Sequence, residues 1–351
     1  MPILVEKCPF GDRAPTFPQS ARDKLLKNLY KDQPKYLDIG LINNMPDAAM
    51  EATARQFLTL LGAAAHSIVL RLKLFSMPGI PCSQWRRQHI STYYSDFHSL
   101  WDSHLDGLIV TGTEPRAADL TDEPYWRCLS EMIEWTEENT IAAVWSCLAA
   151  HAAVLHLDGI KRSPLAEKCF GLFQHTKMED SRLLGGLPSR IPTPHSRWNE
   201  IPEGALVSSG YRVLSKSAAA GVDMFVKERK SFFLFFQGHP EYDADTLSRE
   251  YRRDVGRFLR GERDSYPQIP KGYFDEQTAN VLNAFRARAL VDRREELLSE
   301  FPTEQVAGTL SNTWQSEASC TYRNWLNYIA EHKASRATMP CPASICRASV
   351  N

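Results

Sequence analysis

The stretch Ile141 to Val154, IAAVWSCLAAHAAV, decides the fold. Its apolar run from Ile141 to Trp145 reads as a short strand, Ser146 and Cys147 as a corner, and the small residues from Leu148 onward as a helix. A cysteine at such a corner lies over the positive end of the helix dipole, where thiolate is favoured and the side chain can face a cleft. Cys147 is therefore a candidate nucleophile. The other reading of the same residue is a small buried hydrophobe, the usual fate of a single cysteine.

The flanking sequence repeats the strand-then-helix theme. Tyr36 to Asn43, YLDIGLIN, reads as a strand ended by Asn43-Asn44-Met45-Pro46, after which Asp47 is expected to cap a helix running to Gly62. His66 to Phe75 reads as a strand, Gln88 to His104 as a helix, Asp106 to Gly112 as a buried strand, and Thr121 to Asn139 as a helix. Short apolar strands alternating with long helices imply a doubly wound α/β fold with a mostly parallel sheet covered on both faces. Ligands sit at the carboxyl ends of such strands, here Asn43 to Pro46, Gly112 to Arg116 and Cys147.

Residues 160 to 240 carry shorter β-like runs (Lys168 to His175, Ala205 to Leu214, Gly221 to Val226, Phe232 to Gln237), expected to complete the sheet and add antiparallel strands. The last run leads into Gly238-His239-Pro240-Glu241-Tyr242, which puts an imidazole at a strand end with a carboxylate two residues on and proline stiffening the link. A histidine paired with a carboxylate can act as a general base. Helices are expected at Asp243 to Gly261, Phe274 to Glu300 and Asn312 to His332. The arginines of the first read mostly as a solvated face, and Trp314, Trp325 and Tyr328 of the last as docking contacts.

The chain has 351 residues, with 41 Lys and Arg against 42 Asp and Glu, so its charge gives no reason to expect nucleic acid or an anionic membrane as main partner. No apolar run approaches the roughly 20 residues a membrane helix needs, and the start, MPILVEKCPFGDRAPTF, does not resemble a signal peptide. A cytoplasmic protein is expected. Eight scattered cysteines suggest reduced thiols, and Cys341 with Cys346, lacking a second pair or a nearby histidine, make a poor zinc signal, so no metal is expected. In organisation, residues 1–35 read as an N-terminal arm with an amphipathic helix around Ser20 to Tyr30, 36–333 as the α/β domain with an extra helical segment at about 262–312, and 334–351 as a disordered tail.

Cys147, His239 and Glu241 supply the parts of a Cys-His-Glu triad. Their order, strand then cysteine elbow then GHPE, resembles the class I glutamine amidotransferase-like fold. More narrowly, the chain resembles the homoserine O-succinyltransferase/O-acetyltransferase family through INNMP (42–46), RQFLTLLG (55–62), DGLIVTG (106–112), YW (125–126) and WSC (145–147). EKCFGLFQH (167–175), PHSR (194–197), GHPEYDADTLSREYRRD (238–254), TWQSEAS and NWLNY (within 313–328) continue the match.

The resemblance implies an acyl-CoA-dependent, ping-pong O-acyl transfer in methionine biosynthesis, with no bound cofactor and a possible homodimer. Cys147 would be acylated, with the N–H groups of Leu148 and of the Gly112-Thr113 turn holding the oxyanion. His239, oriented by Glu241, would deprotonate the acceptor hydroxyl. By the same motifs Lys168, Ser196 and Arg253 fall at substrate-binding positions. Their plainer readings are surface charges and a turn residue. Arg116 stands where the family selects its acyl group, glutamate going with acetyl and glycine with succinyl. A guanidinium there can pair with a succinyl carboxylate, so succinyl-CoA is the expected donor.

The chain departs from the family at Asp47 and Ala48, where lysines are usual, at Leu148 and His151, where Trp and Gln are usual, and in the longer 262–312 region. His151 reads either as a core histidine or as a wall of the site. Three other readings stay open: acetyl as the acyl group or serine as acceptor, a glutamine amidotransferase, and a non-catalytic family member. Against the second, Trp145 and Ala149 stand where a G-x-C-x-G elbow has glycines.

Overall fold

The computed structural model describes residues 3–7 and 36–338. The helix expected at Ser20 to Tyr30, the Cys341/Cys346 pair and most of the expected tail lie outside them. An eight-stranded sheet forms the centre. Its parallel part is built from β1 (Ile3–Val5), β2 (Tyr36–Ile42), β3 (Val69–Phe75), β4 (Gly107–Val110) and β5 (Ala142–Ser146). The order is β1-β3-β2-β4-β5, so the extreme N-terminus of the expected arm adds an edge strand to β3.

Strands β4 and β5 are buried at every position. Helices therefore cover both faces of the sheet. On one face α1 (Asp47–Ala64) buries Met50, Phe57, Leu58 and Leu61 against the sheet. On the other lie α3 (Trp126–Asn139), burying Leu129, Met132 and Ile133, and α4 (Leu148–Asp158), whose alanines let it approach β5 closely. Between these elements α2 (Gln84–Tyr93) ends well short of the expected His104. Tyr94 leaves the helix in an extended conformation, and a separate 3₁₀ turn follows at Phe97–Leu100. Helix α3 likewise starts at Trp126, because Pro124 stands before it and a 3₁₀ turn, Leu120–Asp122, occupies the expected first turn. Asp47 does not cap α1. Pro46 holds the N-cap position without a side-chain bond, and Asp47 instead lies 3.5 Å from Arg86.

After α4 the chain forms a second, antiparallel sheet from β6 (Ser163–Lys177), β7 (Arg190–Glu200), β9 (Ser215–Ser217) and β10 (Gly221–Val222), in the order β10-β9-β6-β7. The central sheet is completed by β12 (Phe232–Phe236), parallel to β5, and by β11 (Met224–Glu228) and β8 (Arg212–Val213), antiparallel. The expected run Ala205 to Leu214 is not one strand. Its start is α5 (Glu203–Ser208), with Pro202 at the N-cap position, and Gly210 with positive φ turns the chain into β8. Asp223 separates β10 from β11 and so marks the crossing between the two sheets.

Helices α6 (Thr246–Leu259), α7 (Glu276–Val291) and α8 (Thr303–Ala307) share a third apolar cluster around Tyr251, Phe258, Phe285 and Phe301, which holds the 262–312 segment. The last helix, α9 (Gln315–Thr338), runs past the expected His332 and packs Tyr322, Trp325, Leu326 and Ile329 beside α1 and the sheet. Trp314 and Trp325 are buried packing residues, as expected. No helix among the described residues is long and apolar enough to cross a membrane.

Candidate active site

Cys147 stands between β5 and α4 with φ 53° and ψ −115°. A non-glycine residue held there costs about 1–3 kcal/mol of local strain, tolerated where the surroundings over-determine it. Here the surroundings do so: Cys147 N–H donates to Phe236 O of β12 at 2.8 Å, and its carbonyl accepts from Ala150 and His151 in the first turn of α4. The Cys147 side chain makes no cap bond to α4, and its thiol is half-buried.

The neighbouring strand β12 delivers the second group. His239 Nδ1–H donates to Glu241 Oε1 at 2.9 Å, and the ring also hydrogen-bonds the Cys147 side chain. Burial pushes the imidazole pKa down, yet Cys147 and Glu241 outweigh it and hold the pKa well above the ordinary histidine value. Tyr242 stacks on His239 at 4.2 Å between ring centroids, and Trp314 Nε1–H (3.0 Å) and Asn312 Nδ2–H (3.2 Å) anchor the Tyr242 carbonyl. The structure thus brings the three sequence-derived triad residues together.

Gly112 and Thr113 line one cleft with Leu148, beside Asn44 and Thr111. Leu148 N–H is the first of α4 and has no intrahelical acceptor. A methyl group on Gly112 would sit 3.0 Å from it, so only glycine leaves that donor uncrowded. The loops are tied together by Asn44, whose N–H donates to Thr111 Oγ1 (2.8 Å) and whose Oδ1 accepts from Met77 N–H (3.2 Å).

Lys168, Ser196 and Arg253 meet around two acidic residues of α6. Lys168 Nζ lies 3.1 Å from Asp254 and 3.7 Å from Glu250, while Arg253 donates to Asp254 Oδ1 through Nε (3.2 Å) and NH2 (3.1 Å). Ser196 Oγ–H donates to Glu250, whose other oxygen accepts from Tyr242 at 2.6 Å. Arg257 and Arg263 stand 3.9 and 4.0 Å from Asp254. Burial raises the Asp254 pKa, but Lys168 and Arg253 overcome that and lower it, so its carboxylate stays ionised. Glu250 and Tyr242 were not singled out from sequence, although both lie in the GHPEYDADTLSREYRRD stretch. The available signal was Glu250 three residues before Arg253 on one face of the helix, with Tyr242 directly after Glu241, and only the fold brings these together.

Arg116 is exposed, and its loop is fixed through the backbone. The N–H groups of Arg116 and Ala117 donate to Glu123 Oε1 at 2.5 and 2.8 Å. A second arginine, Arg162, went unnoticed because it lies between β5's helix and β6 with no motif around it. It is half-buried and donates to Ala118 O at 3.4 Å. Burial lowers its pKa, opposed by Tyr125, Glu123, Asp119 and Cys147. His151 belongs to the core. It is buried, its Nε2 faces Gln237 Oε1 at 3.2 Å, and burial and nearby arginines push its pKa down to about 3, so it stays neutral.

Fold and site together define a class: a parallel α/β protein with a Cys-His-Glu triad across the carboxyl ends of adjacent strands, walled by an arginine- and acid-rich helix. The sequence profile of the HTS homoserine O-succinyltransferase family matches residues 27–336, and the chain belongs to that family. It is 46% identical over 296 residues to a homoserine O-succinyltransferase of Rhodopseudomonas palustris, covering 84% of this chain and 89% of that one. It is likewise 46% identical over 300 residues to one of Methylorubrum extorquens, covering 85% and 88%. Among solved structures it is similar to a glutamine amido transferase from Methylobacillus flagellatus, at 15% identity and TM-score 0.47, over 84% of this chain and 95% of that one.

Proposed function

We propose that this chain transfers a succinyl group from succinyl-CoA to the hydroxyl of homoserine through a Cys147 thioester. The observation that carries the reading is the buried His239, paired with Glu241 and Cys147 and holding its proton more tightly than an ordinary histidine, which is what a thiolate–imidazolium pair requires. Cys147 thiolate attacks the thioester carbonyl, and the oxyanion forms against the N–H groups of Leu148 and the Gly112-Thr113 turn. The carbon–sulfur bond to CoA breaks, and His239 gives its proton to the departing CoA thiolate. Neutral His239 then takes the proton of the homoserine hydroxyl as that oxygen attacks the acyl carbon. Collapse releases the ester and restores Cys147 thiolate beside protonated His239, so protons and electron pairs balance over the cycle.

The acceptor is a zwitterion, and the cluster on α6 offers both signs of charge. Arg253 takes the carboxylate, Lys168 and Ser196 add polar contacts, and Glu250 takes the ammonium group. In the acyl pocket Arg116 meets the succinyl carboxylate. No bound cofactor enters this scheme, and acyl-CoA serves as co-substrate. A cytoplasmic homodimer is part of the same proposal, and light scattering checks it against the 39.8 kDa chain mass.

Intact-mass spectrometry after mixing with succinyl-CoA tests the reaction. The expected result is one succinyl group on the wild type, none on Cys147→Ala, and discharge by homoserine but not serine. Discharge by serine would shift the acceptor, since one methylene is worth only about 1–3 kcal/mol in a pocket. Ammonia released from glutamine and lost in Cys147→Ala would replace the proposal with an amidotransferase.

A further inference from the structure

Beneath the catalytic loop lies a second group of chemistry-bearing side chains that the scheme does not use. His175 on β6, His195 on β7 and Asp223 between the sheets are buried, with ligand-capable atoms all within 4.8 Å of one another. Such a trio invites a metal, but its hydrogen bonds have a fixed direction. A guanidinium can only donate, and Arg197 Nε donates to His195 Nδ1 at 3.3 Å. His195 therefore carries its hydrogen on Nε2. That N–H faces His175 Nε2 at 3.1 Å, which must accept, so the His175 hydrogen is on Nδ1, 3.1 Å from the carbonyl of Phe173. One proton arrangement satisfies all three contacts. It also occupies the His195 nitrogen that a metal would need.

The trio supports His239 directly. Asp223 Oδ1 accepts from Gly238 N–H at 2.9 Å, and His239 N–H donates to the carbonyl of Pro194, next to His195, at 2.8 Å. A methyl group on Gly238 would lie 2.9 Å from His195 Nε2, 2.8 Å from Asp223 Oδ1 and 2.7 Å from Thr193 Cγ2, so the loop rests on these atoms without a gap.

We infer that Arg197, His195 and His175, together with Asp223, form a proton-ordered positioning device that sets the height of the Gly238–His239 backbone over Cys147. The device also keeps a neutral imidazole beneath His239. Arg197 blocks the second proton on His195, and a charged ring there would repel the protonated state that His239 uses. The inference rests on His239 being the catalytic base.

The experiment compares His195→Phe, which keeps a ring but neither polar contact, with His195→Gln, which restores a donor toward His175. Succinylation of Cys147 and its discharge by homoserine are timed separately in each full-length protein. In His195→Phe, kcat and the discharge rate are expected to fall by about tenfold to a hundredfold, as for a misplaced catalytic group, with both KM values within about twofold of wild type. His195→Gln is expected to recover most of that loss. Unchanged kcat in His195→Phe overturns the inference, and so does failure of Gln to do better than Phe. A wild type that never acquires a succinyl group overturns the catalytic reading instead. Nitrogen NMR of histidine-labelled wild type provides a readout that no variant need fold to give. Hydrogen on Nε2 of His195 and on Nδ1 of His175 across the active pH range supports the device, whereas any other tautomer, or stoichiometric metal in the purified protein, overturns it.

Discussion

At the residue scale the pairing of Cys147 with His239 makes the most direct claim on experiment. His239 is held protonated by two partners, and Cys147→Ala removes one of them, so the His239 pKa is expected to fall in that variant. Titration of the His239 ring by NMR checks this, and an unchanged pKa would show that Glu241 acts alone. Gly112→Ala places its methyl 3.0 Å from Leu148 N and 3.1 Å from Leu148 Cβ. Loss of one oxyanion donor costs about 10²–10³ in kcat, and a comparable loss with a near-normal unfolding midpoint is expected. Arg116, proposed to meet the succinyl carboxylate, is exposed, whereas Arg162, within electrostatic reach of Cys147, is half-buried. Arg162→Ala and Arg116→Ala are each expected to lower the ratio of succinyl-CoA to acetyl-CoA turnover, more strongly for Arg162, since a partly desolvated charge pair is worth about 1.5–3 kcal/mol. A ratio untouched by both substitutions would leave donor choice to other groups.

At the scale of elements the site is held by pieces far apart in sequence. Trp314, just before α9, donates to the Tyr242 carbonyl, and Gln56 of α1 donates to Thr246 Oγ1 at the start of α6 at 2.7 Å. Trp314→Phe removes one of two bonds to that carbonyl, so about 1 kcal/mol of stability should go, together with part of kcat, because Tyr242 stacks on His239. Denaturant unfolding and steady-state kinetics on the same variant measure both. The strands and helices around the site were legible because β4 and β5 are short, nearly all apolar and wholly buried while their helices carry a 3.6-residue period. The expected boundaries at His104, Thr121 and Ala205 differ where a 3₁₀ turn interrupts the helical pattern or Pro202 starts a helix in place of a strand. Local periodicity persists through such places even though the backbone hydrogen bonds do not.

For the whole molecule, pH links the site to stability. A histidine whose folded pKa is raised contributes stability that is fully present below the unfolded value, about 6.5, and lost as pH rises through the folded one. The stability advantage of wild type over His239→Gln is therefore expected to shrink as pH climbs above about 6.5. Denaturant midpoints measured across that window check the sign, and an advantage that grows with pH would contradict it. The two sheets meet at Asp223 and Gln237, whose carboxylate and amide hold Gly238, Ile201 and Val222. Catalytic geometry is thus a property of the junction between sheets and of no single motif.

The sequence by itself determined the alternation of strand and helix, the cysteine at its corner and the GHPE strand end, because each is written in a short contiguous pattern of residue types, whereas Lys168, Ser196 and Arg253 were expected only through the family resemblance. Only the tertiary structure decided that Glu250 and Tyr242 lie against that set, that Arg162 stands within electrostatic reach of Cys147, and that His151 is core. It alone also assembled Arg197, His195, His175 and Asp223 under His239. Several of those relations join residues 20 to 86 positions apart. Hydrogen-bond direction and burial, which fix what each group can do, exist only once the strands carrying them are side by side.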